Sequence, residues 1–186
     1  ISFTLSVFLI SCDKGKVSAQ GGLPEGEVIL DSSYLFRDTT FFHLNKSYCN
    51  ATREDVDVSG QPFDKAVRIN VLEIKPDNNG KIDPSRVKLN IDAKDNDGKF
   101  IKIEKGDVML VQLYVRTISP MSGTDVGNFA CTVESTKGNN HSLAANGEVS
   151  SDEGWKKFSF PMKVGYDYDV EEGWRDTIKF GYGPQV

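Results

Sequence analysis

The chain has 186 residues and a formal net charge of −5, with 38% hydrophobic and 26% charged residues. This length suits one domain with a real hydrophobic core, and the acidic excess argues against nucleic-acid binding, which relies on a basic patch. Three Cys and two His are too few for a disulfide scaffold and leave little material for a zinc site.

The chain begins with an apolar segment that has no charged residue before Asp13. The segment is too short to span a bilayer, which takes about 20 residues, but it has the length of the apolar region of a signal peptide. Its end, Leu9-Ile10-Ser11-Cys12, resembles the lipobox of bacterial lipoproteins, in which the Cys becomes the lipidated first residue. We predict a signal peptide over residues 1–11, truncated at its start, and lipidation of Cys12. The alternative is a buried β-strand, because a short apolar run fits either interpretation.

Small and polar residues follow at 13–26. This composition is typical of a flexible tether, although an ordered loop packed on the domain is the alternative. The predicted organisation is therefore a lipidated Cys and tether over 12–26, followed by one domain over 27–186.

The rest of the chain contains short β-branched and aromatic runs between clusters of Gly, Asn and Asp. This pattern predicts an all-β fold, an antiparallel sandwich or a barrel, and Asp95–Gly98 predicts a hairpin turn. No segment shows a sustained helical period. The predicted strands, in chain order, are Val28–Leu30, Ala66–Ile74, Val87–Ile91, Lys99–Ile103, Val108–Arg116, Asn128–Ser135, Trp155–Met162 and Thr177–Tyr182.

Alternation along three of these strands predicts a polar face. Successive side chains of a strand point to opposite faces, and a solvated antiparallel face is polar in any case. Here the polar set also mixes amide, guanidinium, carboxylate and aromatic groups, which suit sugar hydroxyls and the flat side of a sugar ring. If the three strands share a sheet, that face displays Arg68, Asn70, Gln112, Tyr114, Arg116, Thr132 and Glu134.

The order of several short motifs is similar to that of the xylanase-associated carbohydrate-binding domains of the galactose-binding-like jelly-roll group. The resemblance implies two packed antiparallel sheets and a polysaccharide, such as xylan, held across the concave sheet by aromatic, Arg, Glu and amide side chains. It also implies a further short strand after the last motif, so we expect the sequence to lack the last strand of the domain. The motifs are Gln61–Arg68, Glu104–Val108, Leu113–Arg116, Gly154–Pro161 and Lys179–Gln185.

Aromatic and acidic residues are concentrated in a segment before the last predicted strand. Aromatic side chains on loops are good candidates for ligand contact, so we predict sugar binding by Tyr166, Tyr168 and Trp174. Trp155, by contrast, is expected to pack in the core or at a sheet edge, because a Trp side chain buries a large area.

No cofactor is predicted. Jelly-roll sugar binders often carry a structural calcium, and that option stays open with no ligand assigned. Cys49 and Cys131 are predicted to be unpaired thiols, although an extracytoplasmic compartment permits a disulfide.

The sequence contains no nucleophile elbow, zinc-protease motif or P-loop. The predicted function is therefore a non-catalytic carbohydrate-binding module of a bacterial cell-envelope lipoprotein, periplasmic or surface-exposed, whose membrane contact is its lipid anchor alone. One alternative is an accessory fragment of a glycoside hydrolase or another polysaccharide-degrading enzyme, since glycosidases need only two suitably spaced carboxylates. The other is a structural or adhesion lipoprotein that binds protein.

Overall fold

A computed structural model of the protein describes residues 3–9, 29–80, 86–120, 125–137 and 141–180, with the backbone alone for 3–9 and 141–144. Within these ranges no helix has the length and apolarity that crossing a membrane requires. A short 3₁₀ helix spans Ser32–Phe36. The strands are β1 (Phe3–Leu9), β2 (Thr40–Leu44), β3 (Cys49–Asp57), β4 (Lys65–Ile74), β5 (Val87–Asp92), β6 (Val108–Ser119), β7 (Val126–Ser135), β8 (His141–Ser150), β9 (Lys156–Lys163) and β10 (Trp174–Phe180).

These strands form two five-stranded sheets, in which every described pairing is antiparallel. The first sheet has the order β3-β4-β1-β6-β9, and the second has the order β2-β5-β10-β7-β8. The predicted all-β sandwich is therefore confirmed. Each sheet contains strands from distant parts of the chain. The sheet to which a residue belongs is therefore determined by long-range pairing.

The core lies between the two sheets. It is built from alternate apolar side chains, such as Val67 and Ile69 of β4, which are fully buried. Phe129 of β7 meets Phe158 of β9 across the core, with ring centroids 5.0 Å apart in an edge-on contact. Because alternation sends every second residue inward, the remaining residues of these strands form two outer faces.

Most predicted strands are confirmed by β4, β5, β6, β7, β9 and β10, with small shifts at their ends. Lys99–Ile103 is not a strand, since only Phe100 and Ile103 make isolated bridges, to Lys94 and Tyr168 respectively. Ile29 and Leu30 form a bend. The predicted turn at Asp95–Gly98 is confirmed, with Gly98 at φ +78° and the Asp95 carboxylate accepting the amides of Asp97 and Lys99. Strands β2, β3 and β8 were not predicted.

The N-terminal apolar segment forms β1, in the middle of the first sheet. Its register places Phe3 opposite Val71 of β4 and Leu9 opposite Leu113 of β6. This is the conformation expected by the alternative interpretation of the segment as a strand. Signal-peptide cleavage stays a prediction, and Cys12 and the tether lie outside the described residues.

Candidate functional site

The polar face predicted from alternation is divided between the two sheets. Strands β4 and β6 belong to the first sheet, whereas β7 belongs to the second. The assumption that the three strands share one sheet is therefore wrong, because alternation fixes which residues of a strand share a side but not which strands are neighbours. The residues that remain together on the outer face of the first sheet, here called the first-sheet face, are Arg68, Asn70, Gln112, Tyr114 and Arg116.

Strand β1 sets the spacing of the first-sheet face. Ser6 is in register with Arg68 on one side and with Arg116 on the other, so the backbones of the two arginines lie roughly 10 Å apart, two strand spacings. The Arg68 Nη1 atom is 3.0 Å from Glu54 Oε1 of β3. The Gln112 Nε2 atom donates to Ser159 Oγ at 3.0 Å. Both contacts are at the surface of the protein.

Three aromatic side chains form a cluster that includes Tyr114 of this face. The ring centroids of Phe63 and Tyr114 are 5.2 Å apart, and those of Phe63 and Trp155 are 5.4 Å apart in an edge-on arrangement. All three residues are half-buried. Trp155 precedes the edge strand β9, in agreement with the prediction that it packs at a sheet edge. Phe63 precedes β4 and lies outside any alternating run, so alternation carries no signal for its place on this face.

Two of the aromatic residues predicted to bind sugar are in the core. Trp174 begins β10, is fully buried, and donates from Nε1 to the Ile101 carbonyl at 2.7 Å. Tyr168 is also fully buried, and its backbone exchanges hydrogen bonds with Ile103. The predictions that Trp174 and Tyr168 contact sugar are therefore wrong. Both side chains face the core, although their neighbours in the sequence are polar. Tyr166 is 45% exposed, and sugar contact by it stays a prediction.

Glu134 lies on the opposite side of the sandwich, in a dense polar network that we call the second-sheet face. Lys179 Nζ lies 2.6 Å from Glu134 Oε1, and Thr177 Oγ1 donates to Asn90 Oδ1 at 2.9 Å. Alternation along β7 indicates only two members of this network, because the others lie on β5 and β10, which become neighbours of β7 through long-range pairing. The members are Asn90, Asp92, Thr132, Glu134, Arg175, Thr177 and Lys179.

The rest of the network surrounds Arg175. Its Nε atom lies 2.9 Å from Asp92 Oδ1 as an ion pair, although the geometry is not that of a hydrogen bond. Its guanidinium also lies over the ring of Phe41, 5.1 Å from the centroid, at a distance that permits a cation–π interaction. Charged groups on this face are thus already compensated by partners in the protein.

The pKa values of the two carboxylates of the second-sheet face are shifted in opposite directions. Burial alone would raise the pKa of Glu134, but hydrogen bonds from Lys179 and Thr132, together with the charges of Lys179 and Lys88, outweigh it and lower the pKa below its ordinary value. For Asp92, burial dominates and raises the pKa, with only partial compensation from Arg175 and Lys94. Glu134 is therefore a carboxylate at neutral pH and a fixed hydrogen-bond acceptor.

No group of three or more His, Cys, Asp or Glu among the described residues is placed to hold a metal ion. Cys49 on β3 and Cys131 on β7 are buried and unpaired, as predicted. Burial raises the pKa of the Cys131 thiol well above its ordinary value, and the neighbouring Asp176 adds to this effect. The Cys131 thiol is thus kept protonated and inert.

The chain matches no protein-family model, no curated protein and no solved structure in the comparisons made with each.

Proposed function

We propose that the protein is a non-catalytic carbohydrate-binding module of a bacterial cell-envelope lipoprotein, with a jelly-roll sandwich of the galactose-binding-like type. The polysaccharide, with xylan as the first candidate, lies across the first-sheet face. The observation that carries this proposal is the aromatic cluster Phe63, Tyr114 and Trp155, which adjoins planar polar side chains on the same face.

The chemistry of the first-sheet face suits a sugar chain. Half-exposed aromatic rings offer flat apolar surface to the C–H side of a pyranose, and Gln112, Arg68 and Arg116 supply donors for ring hydroxyls. Preorganisation lowers the entropy cost of binding, and the bonds from Arg68 to Glu54 and from Gln112 to Ser159 provide it. Lipidation at Cys12 would keep the bound polysaccharide at the cell envelope, and because the cleavage that it requires removes β1, another strand would then have to complete the first-sheet face.

The second-sheet face is a weaker candidate for the same ligand. Its polar groups bond to one another, and Thr177, Thr132 and Asn90 are at most 5% exposed. Its two carboxylates, Asp92 and Glu134, are held in ion pairs with Arg175 and Lys179. These ion pairs favour a binding or structural role over a glycosidase acid and base, which need freedom to exchange protons.

Affinity electrophoresis of the folded protein through gels containing xylan, β-glucan, mannan or pectin tests the proposal. Retardation in one gel is expected, and it would identify the class of polysaccharide. Tyr114→Ala and Arg116→Ala should each abolish most of the retardation. Phe41→Ala is the matched control, an exposed aromatic residue of the second sheet, and should migrate like the wild type, whereas Tyr166→Ala tests the separate prediction that Tyr166 contacts sugar.

The variants also locate the site. If Glu134→Gln removes retardation while Tyr114→Ala and Arg116→Ala retain it, the sugar lies on the second-sheet face. If only Tyr166→Ala removes it, the sugar lies on the loops.

A second candidate function is that of an adhesion lipoprotein that binds protein. Leu72 and Ile118 favour it, because both are apolar residues of the first-sheet face with 40% and 43% exposure. Migration unaffected by any of the four polysaccharides, in a sample shown to be folded, would favour this candidate over carbohydrate binding.

A further inference from the structure

Strand β1 fills the space between β4 and β6, which do not pair with each other. It separates β4 from β6 in the first sheet, and each of these strands pairs on its other side with β3 or β9. Without β1, two unpaired strand edges would therefore face each other across a gap of roughly 10 Å, one strand wide. Such edges recruit extended chains, because their backbone donors and acceptors need partners.

The register of β1 shows which sequence this position selects. Phe3, Leu5 and Val7 lie opposite Val71, Ile69 and Val67 of β4, all of which are buried. On the other side, Leu5, Val7 and Leu9 lie opposite Thr117, Val115 and Leu113 of β6, which are also buried.

The intervening residues are in register with the first-sheet face, Thr4 with Asn70, Ser6 with Arg68 and Phe8 with Tyr114. The position therefore suits an extended segment with apolar residues at every second place.

The connection of β1 to the rest of the fold is long. Residues 10–28 separate β1 from the next described residue, and most of them belong to the small, polar stretch predicted to be a tether. A strand joined through such a stretch gains little from its covalent link beyond a raised local concentration. Its hold on the sheet then depends on its pairing with β4 and β6.

We propose that the position between β4 and β6 is a peptide-binding site. It takes an extended segment with apolar residues at alternate positions, antiparallel to both strands, and Phe3–Leu9 is its occupant from the same chain. This is recognition by β-strand addition, in which main-chain hydrogen bonds give affinity and alternate side chains give specificity. The proposal does not depend on carbohydrate binding. Cleavage before Cys12, part of the proposed lipoprotein function, would remove the occupant and open the site to another strand.

The test uses the full chain with a protease recognition sequence inserted between Gly21 and Gly22 and cut after folding. The N-terminal fragment should stay bound during gel filtration. A labelled peptide of residues 1–12, with Cys12→Ser, should then replace it. A control peptide of the same composition, with Thr4 and Leu5 exchanged and Ser6 and Val7 exchanged, should bind at least tenfold more weakly, because the exchanged leucine and valine fall on the wrong side.

Three results would overturn the proposal. The first is release of the fragment from a domain whose β-sheet circular dichroism and melting temperature are unchanged. The second is equal binding of the two peptides, which would indicate non-specific hydrophobic adsorption. The third concerns a domain that unfolds when it loses the fragment. In that case, failure of the labelled peptide to restore the β-sheet circular dichroism would overturn the proposal.

Discussion

Lys179 of β10 and Glu134 of β7 form an ion pair across neighbouring strands of the second sheet, with 2.6 Å between Nζ and Oε1 and 14% and 13% of the two side chains exposed. Thr132 Oγ1 donates to the same carboxylate oxygen at 2.8 Å. Removing one partner of a largely buried pair leaves an uncompensated charge, which costs more than removing both.

Lys179→Met should therefore destabilise the protein by about 3 kcal/mol at pH 7, and the double variant with Glu134→Gln should be clearly less destabilised. The pKa of Glu134 is lowered, so its stabilisation is present above its ordinary pKa and is lost as pH falls through the folded value. The penalty of Lys179→Met should thus shrink at pH 3. Urea unfolding of the three proteins at both pH values measures this, and equal losses in the single and double variants would contradict it.

Alternation along the chain was sufficient to predict strands whose two faces differ in polarity. Strands β4 and β6 carry apolar alternation from Val67 to Val71 and from Val111 to Val115, and the inward and outward residues of these two stretches were assigned correctly. Strand β3 was missed because it is an edge strand with charged residues, including Arg53 and Glu54, at successive positions. Strand β8 was missed because Asn146, Gly147 and Glu148 carry no strand signal of their own.

The candidate site could be predicted only as far as local pattern determines it. Five residues of the first-sheet face were found, because β4 and β6 flank the same strand. Placing Glu134 on the same face failed, since the choice of sheet for β7 is a long-range property. Trp174 was misassigned for a similar reason, because its polar sequence neighbours do not show that its ring packs into the core.

The two tryptophans should respond in opposite ways to truncation. Trp174→Ala removes a fully buried side chain and should cost about 3–5 kcal/mol of stability. Trp155→Ala should cost less than half as much but should weaken polysaccharide binding at least tenfold, because it removes part of the aromatic cluster. Urea unfolding and affinity electrophoresis measured on the same samples separate the two effects. Normal sugar binding by a folded Trp155→Ala protein would remove the aromatic cluster from the site.

Gly147 of β8 is required by a close approach rather than by a turn. A Cβ atom at this position would collide with the ring of Phe129 and lie 3.0 Å from the ring of Phe158. Gly147→Ala should therefore cost about 1–3 kcal/mol through overpacking and lower Tm by several degrees. Asn146→Ala is the matched control, since Asn146 is the exposed neighbour on the same strand and its change should stay within about 0.5 kcal/mol. Equal Tm values for the two variants would contradict this role of Gly147.

Asp176 places a carboxyl group on the inward side of β10, between Trp174 and Ile178. Its register partners are Ile91 and Val133, both buried. Burial raises its pKa from 3.8 to about 7. The folded protein therefore keeps this proton over a pH range in which the unfolded chain has lost it.

Because the unfolded state binds fewer protons between the two pKa values, stability should fall as pH rises from about 4 to about 7. Between pH 5 and pH 8 the loss from this one group should be about 3 kcal/mol. Asp176→Asn keeps the shape of the side chain without its charge, so the variant should not lose this stability. The unfolding free energy of the variant minus that of the wild type should therefore rise by about 3 kcal/mol from pH 5 to pH 8. Urea unfolding at pH 5 and pH 8 measures it, and Glu54→Gln, at an exposed carboxylate, is the control for general charge effects. A difference between Asp176→Asn and wild type that does not change with pH would show that Asp176 ionises normally in the fold.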